Sequence, residues 1–213
     1  PCARTKMTTL IIARHGNTFE SSETARRVGA RTDLPLVEKG REQARAIGRY
    51  LKEHRLIPDV IYSSALQRAQ ETAKIAVKES GISNPVFTLD IFNEIDYGPD
   101  ENKPEHEVIA RIGAAAMENW DKNGIMPPGW NADTSEIISN WLSFADQVRA
   151  HDDNETILVV TSNGIARFAP HITGDFEGFA KKHPLKLATG ALAIFEYKNG
   201  WVIKEWNIKP LAI

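Results

Sequence analysis

Four short stretches hold the residues best able to do chemistry: Arg14-His15-Gly16-Asn17-Thr18, Ser63-Ser64 with Arg68 one turn further on, Asn93-Glu94, and Ser162-Asn163-Gly164. Between them they carry two guanidinium groups, an imidazole, a carboxylate and several small hydrogen-bonding side chains. Guanidinium forks bind a phosphoryl group in bidentate fashion. Glycine lets backbone approach closely, and helix N-termini favour anions. An imidazole beside two arginines is disfavoured as imidazolium, and the neutral ring keeps a nitrogen lone pair able to attack phosphorus. Glu94 is then the group to protonate a departing oxygen and later take a proton from water. Taken singly, each residue has an ordinary reading: a hydrogen-bonded histidine, two surface ion pairs, a solvated carboxylate. Taken jointly, they describe one anion site, provided the fold brings them together.

The hydropathy pattern says how it would. Thr8–Ala13 is a short continuous apolar run, as expected of a strand covered on both faces, and Thr156–Thr161 is the clearest second case. Asp59–Tyr62 and, more weakly, Val86–Leu89 also read as strands. Helical spacing of apolar residues marks Lys39–His54, Glu105–Trp120 and a helix opening at Ser135 with Ile138, Trp141, Leu142, Ala145 and Val148 inward. Ser64 and Gln67 form a capping-box pattern ahead of a helix reaching about Ser80, and Gly164–Ile172 reads as a short helix. Residues 19–36 and 123–133 read as loop. Lys198-Asn199-Gly200 separates the strands Ala191–Tyr197 and Trp201–Ile208, a hairpin pattern. Strands alternating with helices predict an α/β fold with a mainly parallel sheet and helices on both faces. Ligands of such sheets bind beyond the C-terminal strand ends, where all four stretches fall.

Composition excludes several alternatives. The chain has 213 residues, a length that favours one domain, here expected over 7–213. Lys plus Arg number 26 and Asp plus Glu 28, so the net charge of −2 leaves no basic footprint for a nucleic-acid partner. The single cysteine, Cys2, allows neither an internal disulfide nor a cysteine-based zinc site, and the six histidines are scattered. No apolar run approaches the ~18 residues of a membrane span. Pro1–Lys6 lacks the apolar stretch of a secretion signal and an initiating Met, so Met7 is the expected natural start, residues 1–6 a cloning remnant, and the protein cytoplasmic. No metal or cofactor is expected.

The four stretches resemble blocks of the histidine phosphatase superfamily, which includes the phosphoglycerate mutases. Leu10–Thr18 is similar to its apolar strand and Arg-His-Gly motif. Thr32–Leu36 with Gly40–Ala44 resembles the next block, Tyr62–Ala73 the Ser-Ser-x-Leu-x-Arg helix start, and Phe92–Gly98 the segment with the proton donor. The resemblance implies a three-layer phosphoglycerate mutase-like fold and a phosphohistidine on His15. It implies phosphoryl binding by Arg14, Arg68 and Asn17, acid/base work by Glu94, no metal, and a small phosphate ester as substrate. It also implies a departure. The family usually has Thr/Ser-His-Gly-Gly after the later strand; here the stretch is Thr161-Ser162-Asn163-Gly164, so Ser162 stands where the second histidine is expected. Serine still donates a hydrogen bond but carries no charge, and losing one such donor typically costs ~10²–10³ in rate. Ser162 and the Asn163 amide are expected to recover part of that. Val37 and Asp100 stand where threonine and tryptophan are common. A phosphomonoesterase is the first expectation, with residues 99–150 as a lid over the site. Mutase-type phosphoryl transfer and a phospho-ligand binding protein with weakened catalysis are the alternatives. Substrate identity and oligomeric state are not legible.

Overall fold

The computed structural model describes residues 7–151 and 154–211; the expected cloning remnant, with Cys2, lies outside them. Six strands form one sheet: β1 (Thr8–Arg14), β2 (Val60–Ser63), β3 (Val86–Thr88), β4 (Thr156–Thr161), β5 (Leu192–Tyr197) and β6 (Trp201–Ile208), in the order β3-β2-β4-β1-β5-β6. The first four run parallel, and β5 and β6 add an antiparallel edge. This is the α/β architecture that the alternating pattern predicts. Leu10, Ile11, Ile12 and Ala13 are all fully buried, because successive side chains point to opposite faces and both faces are covered.

One face carries α1 (Glu38–Glu53) and α2 (Gln67–Glu79). They bury Ile47, Leu51, Ala69 and Ala73 against Ile11, Ala13, Leu158 and Val160. Each large aliphatic side chain buried in this way stabilises the fold by about 1.5–3 kcal/mol. The other face is covered by α3 (Glu105–Ile112), α4 (Ala114–Asn123) and α5 (Thr134–His151), whose Val108, Trp120, Trp141, Phe144 and Val148 pack with Leu10, Ile12, Ile157 and Val159. Two short helices, α6 (Asn163–Ala166) and α7 (Phe176–Lys182), follow β4.

Several local expectations are corrected. The Ser64–Gln67 capping box does not form. Helix α2 opens at Gln67, and Asp33 of the preceding loop takes both bonds, Oδ1 accepting from the Gln67 amide and its carbonyl from the Gln67 side chain. Ser64 Oγ accepts instead from the Leu66 amide at 3.3 Å. The single helix expected over 105–120 is two, parted at Gly113, whose φ of +88° no ordinary helix residue adopts. Leu142 is 43% exposed rather than inward, because it sits about 100° around α5 from buried Trp141. The helix expected over 164–172 is one α-turn followed by a 3₁₀ turn, Ala169–Thr173, where Pro170 supplies no amide. Helix α7 is unanticipated: Asp175 caps it by accepting from the Gly178 amide.

Candidate active site

The register of the parallel strands brings the chemistry together. Arg14 at the end of β1 lies beside Thr161 at the end of β4, and Ser63 at the end of β2 lies beside Val160. The next residues, His15, Ser162 and Ser64, therefore emerge along one sheet edge. The His15 amide donates to the Thr161 carbonyl at 3.1 Å, and the Ser64 amide to that of Val160 at 3.1 Å.

His15 is 6% exposed and its tautomer is set by its two neighbours. Nδ1 lies 2.8 Å from the Gly16 carbonyl, which can only accept, so Nδ1 carries the hydrogen. Nε2 lies 3.2 Å from Arg68 Nε, which can only donate, so Nε2 carries the lone pair. Burial, then the charges of Arg68 and Arg14, hold the imidazole well below the usual histidine range, so it is neutral. The neutral ring expected from the sequence is thus enforced by position.

Arg68 is fully buried beside His15, but its fork is turned away from the cleft. Nη1 donates to the Thr32 carbonyl at 2.8 Å, and Nη2 to those of Val28 and Gly29 at 3.3 and 3.2 Å. Arg14 Nη1 donates to the Leu187 carbonyl at 2.8 Å, and the Leu187 amide donates to Asn163 Oδ1 at 2.9 Å. Asn17 is fixed by its amide on Gln43 Oε1 at 2.8 Å and by a hydrogen bond that Thr189 donates to its Oδ1. Glu94 is 7% exposed: Oε1 accepts from the Ile95 amide at 2.9 Å and Oε2 from the Gly164 amide at 3.1 Å. Gly16 serves packing. Its amide is spent on Thr72 Oγ1 at 3.1 Å, and a Cβ on it would meet the Gly40 carbonyl at 2.3 Å. Ser162 is fully buried, and its Oγ has no hydrogen-bond partner.

Arg14, His15, Asn17, Glu94 and Asn163 line one open cleft of about 1600 Å³, and Arg68 touches it through its contact with His15. Of segment 99–150, Glu105 and Trp120–Asn123 border this cleft. Three lining residues were given no role by sequence reasoning. Tyr97 stands against Glu94, and burial and then the Glu94 charge push its hydroxyl pKa up, so it stays protonated. Arg167, 1% exposed, donates to the Trp120 carbonyl at 2.8 Å and lies 3.8 Å over the Trp120 ring; burial lowers its pKa to about 10, so it stays cationic. Arg27 faces the same space with its guanidinium over the Tyr97 and Trp130 rings. Tyr97 lies inside the Phe92–Gly98 block and Arg167 three residues past Gly164, and both were open to notice; Arg27 lies in a polar loop with no pattern to mark it. Among the described residues, no three His, Cys, Asp or Glu side chains converge in a way that could hold a metal ion.

Residues 10–209 match the model of the histidine phosphatase superfamily, branch 1. The chain belongs to that superfamily. It is 28% identical over 205 residues to a Bacillus subtilis (strain 168) protein named uncharacterized phosphatase PhoE, covering 95% of each. It is 35% identical over 132 residues to a 2,3-bisphosphoglycerate-dependent phosphoglycerate mutase of Thermobifida fusca, a match spanning 62% of this chain and 53% of the mutase. Among solved structures, Bacillus stearothermophilus YhfR superposes with a TM-score of 0.74 at 25% identity, covering 94% of this chain and 96% of that one. This superfamily member thus keeps the Arg-His-Gly strand end, the buried glutamate and the α/β sheet together. No helix among the described residues is long and apolar enough to cross a membrane.

Proposed function

We propose that the protein is a phosphomonoesterase that works through a phosphohistidine on His15. The observation that carries this reading is the ring itself: neutral, with Nδ1–H tied to the Gly16 carbonyl and the Nε2 lone pair beside a guanidinium at the floor of a cationic cleft.

Nε2 attacks phosphorus, the ester P–O bond breaks, and Glu94 relays to the leaving oxygen the proton that the monoanionic ester brings. Water then attacks the phosphohistidine, returns a proton to Glu94, and releases phosphate with the neutral ring restored. Arg14, which has a terminal nitrogen without a protein partner among the described residues, holds the phosphoryl oxygens together with the Asn17 amide group. Arg68 Nε, released from Nε2 as the N–P bond forms, donates to the same group, while its fork keeps the 28–32 segment in place. Ser162, in the position where the family has a second histidine, and Asn163 complete the set, and the free Ser162 hydroxyl supports a donor role. The 99–150 segment walls the leaving-group side through α3 and the end of α4. The substrate is a small phosphate ester handled without a metal.

Hydrolysis ranks ahead of mutase-type transfer because the cleft is open to water, whereas a mutase must shield its phosphoenzyme. The test is incubation with an aryl phosphate. Phosphate release, with acid-labile phosphate on His15 and loss of both in His15→Ala by at least about 10³-fold, is expected. Tight phosphate binding without release would turn the reading to a binding protein.

A further inference from the structure

The cationic character of the cleft exceeds what one phosphoryl group requires. Nine Lys or Arg side chains line it against five Asp or Glu, in a chain whose overall charge is −2. The excess is not spread evenly. Arg14 sits with His15, whereas Arg27 and Arg167 stand with Tyr97, the residue against Glu94, where the leaving group of the ester must come if Glu94 is to protonate it.

Arg27 is built in, not adrift on a loop. Its amide donates to the Lys103 carbonyl at 2.8 Å, and its carbonyl accepts from the Asn102 amide at 2.8 Å. Its guanidinium is held over Tyr97 and Trp130, with centroids at 5.2 and 5.0 Å. Nη2 donates to both oxygens of Glu105, at 3.0 and 2.8 Å, and Nε is buried without a partner. Glu105 is 53% exposed and opens α3, where a carboxylate is favoured by the helix N-terminus with or without Arg27. Its hold on Arg27 is therefore exchangeable at low cost for another anion. Arg167 beside it keeps one terminal nitrogen without a protein partner among the described residues, since its other two nitrogens donate to the Trp120 and Asn163 carbonyls.

From this placement we propose that Arg27 is a specificity-determining residue, seconded by Arg167, which selects phosphate esters whose alcohol portion carries its own anionic group, and that Glu105 is the resting counter-ion which that group displaces. The proposal rests on the hydrolase reading and names its substrate class. The shared chemistry is a pair of anionic oxygens, carboxylate or second phosphate, one short spacer away from the ester oxygen.

The test compares 4-carboxyphenyl phosphate and 1,4-phenylene bisphosphate with 4-carbamoylphenyl phosphate, an uncharged match in size whose phenol leaves no less readily. At low ionic strength the wild-type protein is expected to favour an anionic ester over the amide by about ten- to a hundredfold in kcat/KM, as for a charged hydrogen bond. The carboxylate and bisphosphate arms tell which anion it is. Arg27→Gln is expected to bring the ratio close to one, and Glu105→Gln to raise it by lowering KM for the anionic ester. A structural role for Arg27 would depress both esters together and leave the ratio standing. Equal kcat/KM for charged and uncharged esters, or a preference untouched by Arg27→Gln, overturns the proposal. If no ester is hydrolysed the hydrolase reading fails, and the same ratio is then read as Kd by calorimetry on the wild-type protein, where a ratio of one overturns the anionic subsite.

Discussion

The floor and the rim of the cleft are both rich in cations, yet they differ in every physical respect that matters. Around His15 and Glu94, Arg14, Arg68 and Arg167 are enclosed and their nitrogens are directed by backbone carbonyls, so each guanidinium has one orientation before any ligand arrives. At the rim, Lys39, Lys181, Lys182 and Lys186 are exposed, with no ion-pair partner among the described residues. A buried, pre-oriented donor stabilises charge without reorganising, and salt screens it little. An exposed lysine is a mobile point charge, screened beyond about 8 Å at physiological ionic strength. The difference teaches that the floor is organised for a reaction step, whereas the rim can only gather anions from solution.

That contrast orders the expected effects. Glu94→Gln removes the proton donor while keeping the shape, and it should lower kcat/KM for alkyl phosphates by about 10²–10⁴-fold. An aryl phosphate with a good leaving group should lose much less, and steady-state kinetics across a leaving-group series reads the difference; equal losses would remove Glu94 from the acid role. Next, Ser162→Ala should lower kcat/KM by up to about tenfold, the worth of one neutral hydrogen bond to the phosphoryl group. Chemical denaturation should show no loss of stability, because the hydroxyl has no protein partner to forfeit. Stability lost without activity lost would make the serine structural.

A third expectation concerns acid. His15 is held below its unfolded value, so the two states bind protons alike above about pH 6.5, and the unfolded chain gains the extra proton as pH falls below it. This residue therefore contributes stability that is lost downward from pH 6.5, by at most about 1.4 kcal/mol per pH unit until the folded-state pKa is reached. Denaturation midpoints of His15→Ala should fall less steeply than those of wild type between pH 6.5 and 5. Parallel curves would mean the ring is charged in the folded protein. The smallest effect belongs to the rim. Lys181→Ala with Lys182→Ala should raise KM for an anionic ester by about two- to fivefold at low salt and leave it unaltered at 0.5 M, where screening is complete within a few ångströms.

Much of this arrangement is readable along the chain, because strand ends and their polar punctuation are local features. The apolar runs at 8–13 and 156–161, each stopping at a polar cluster, announce both a doubly covered sheet and the residues at its edge. Features decided by competition among distant partners are not readable. The capping box at Ser64 loses to Asp33, thirty-odd residues upstream in sequence but adjacent in space. Gly16 looks like a cradle for a ligand, yet its amide goes to Thr72 and its bareness admits the Gly40 backbone. Helix α7, a mere seven residues, has too few apolar positions to show a period.

The residue types determine that a neutral imidazole, guanidiniums and a carboxylate are available at the ends of parallel strands, since composition and periodicity are properties of the chain itself. Which nitrogen of His15 is bare, which way the Arg68 fork turns, and that Arg27 and Arg167 join the same cleft are matters of tertiary structure alone. Each depends on a guanidinium, carbonyl or ring supplied by another segment, and hydrogen-bond direction is settled only once donor and acceptor share a place.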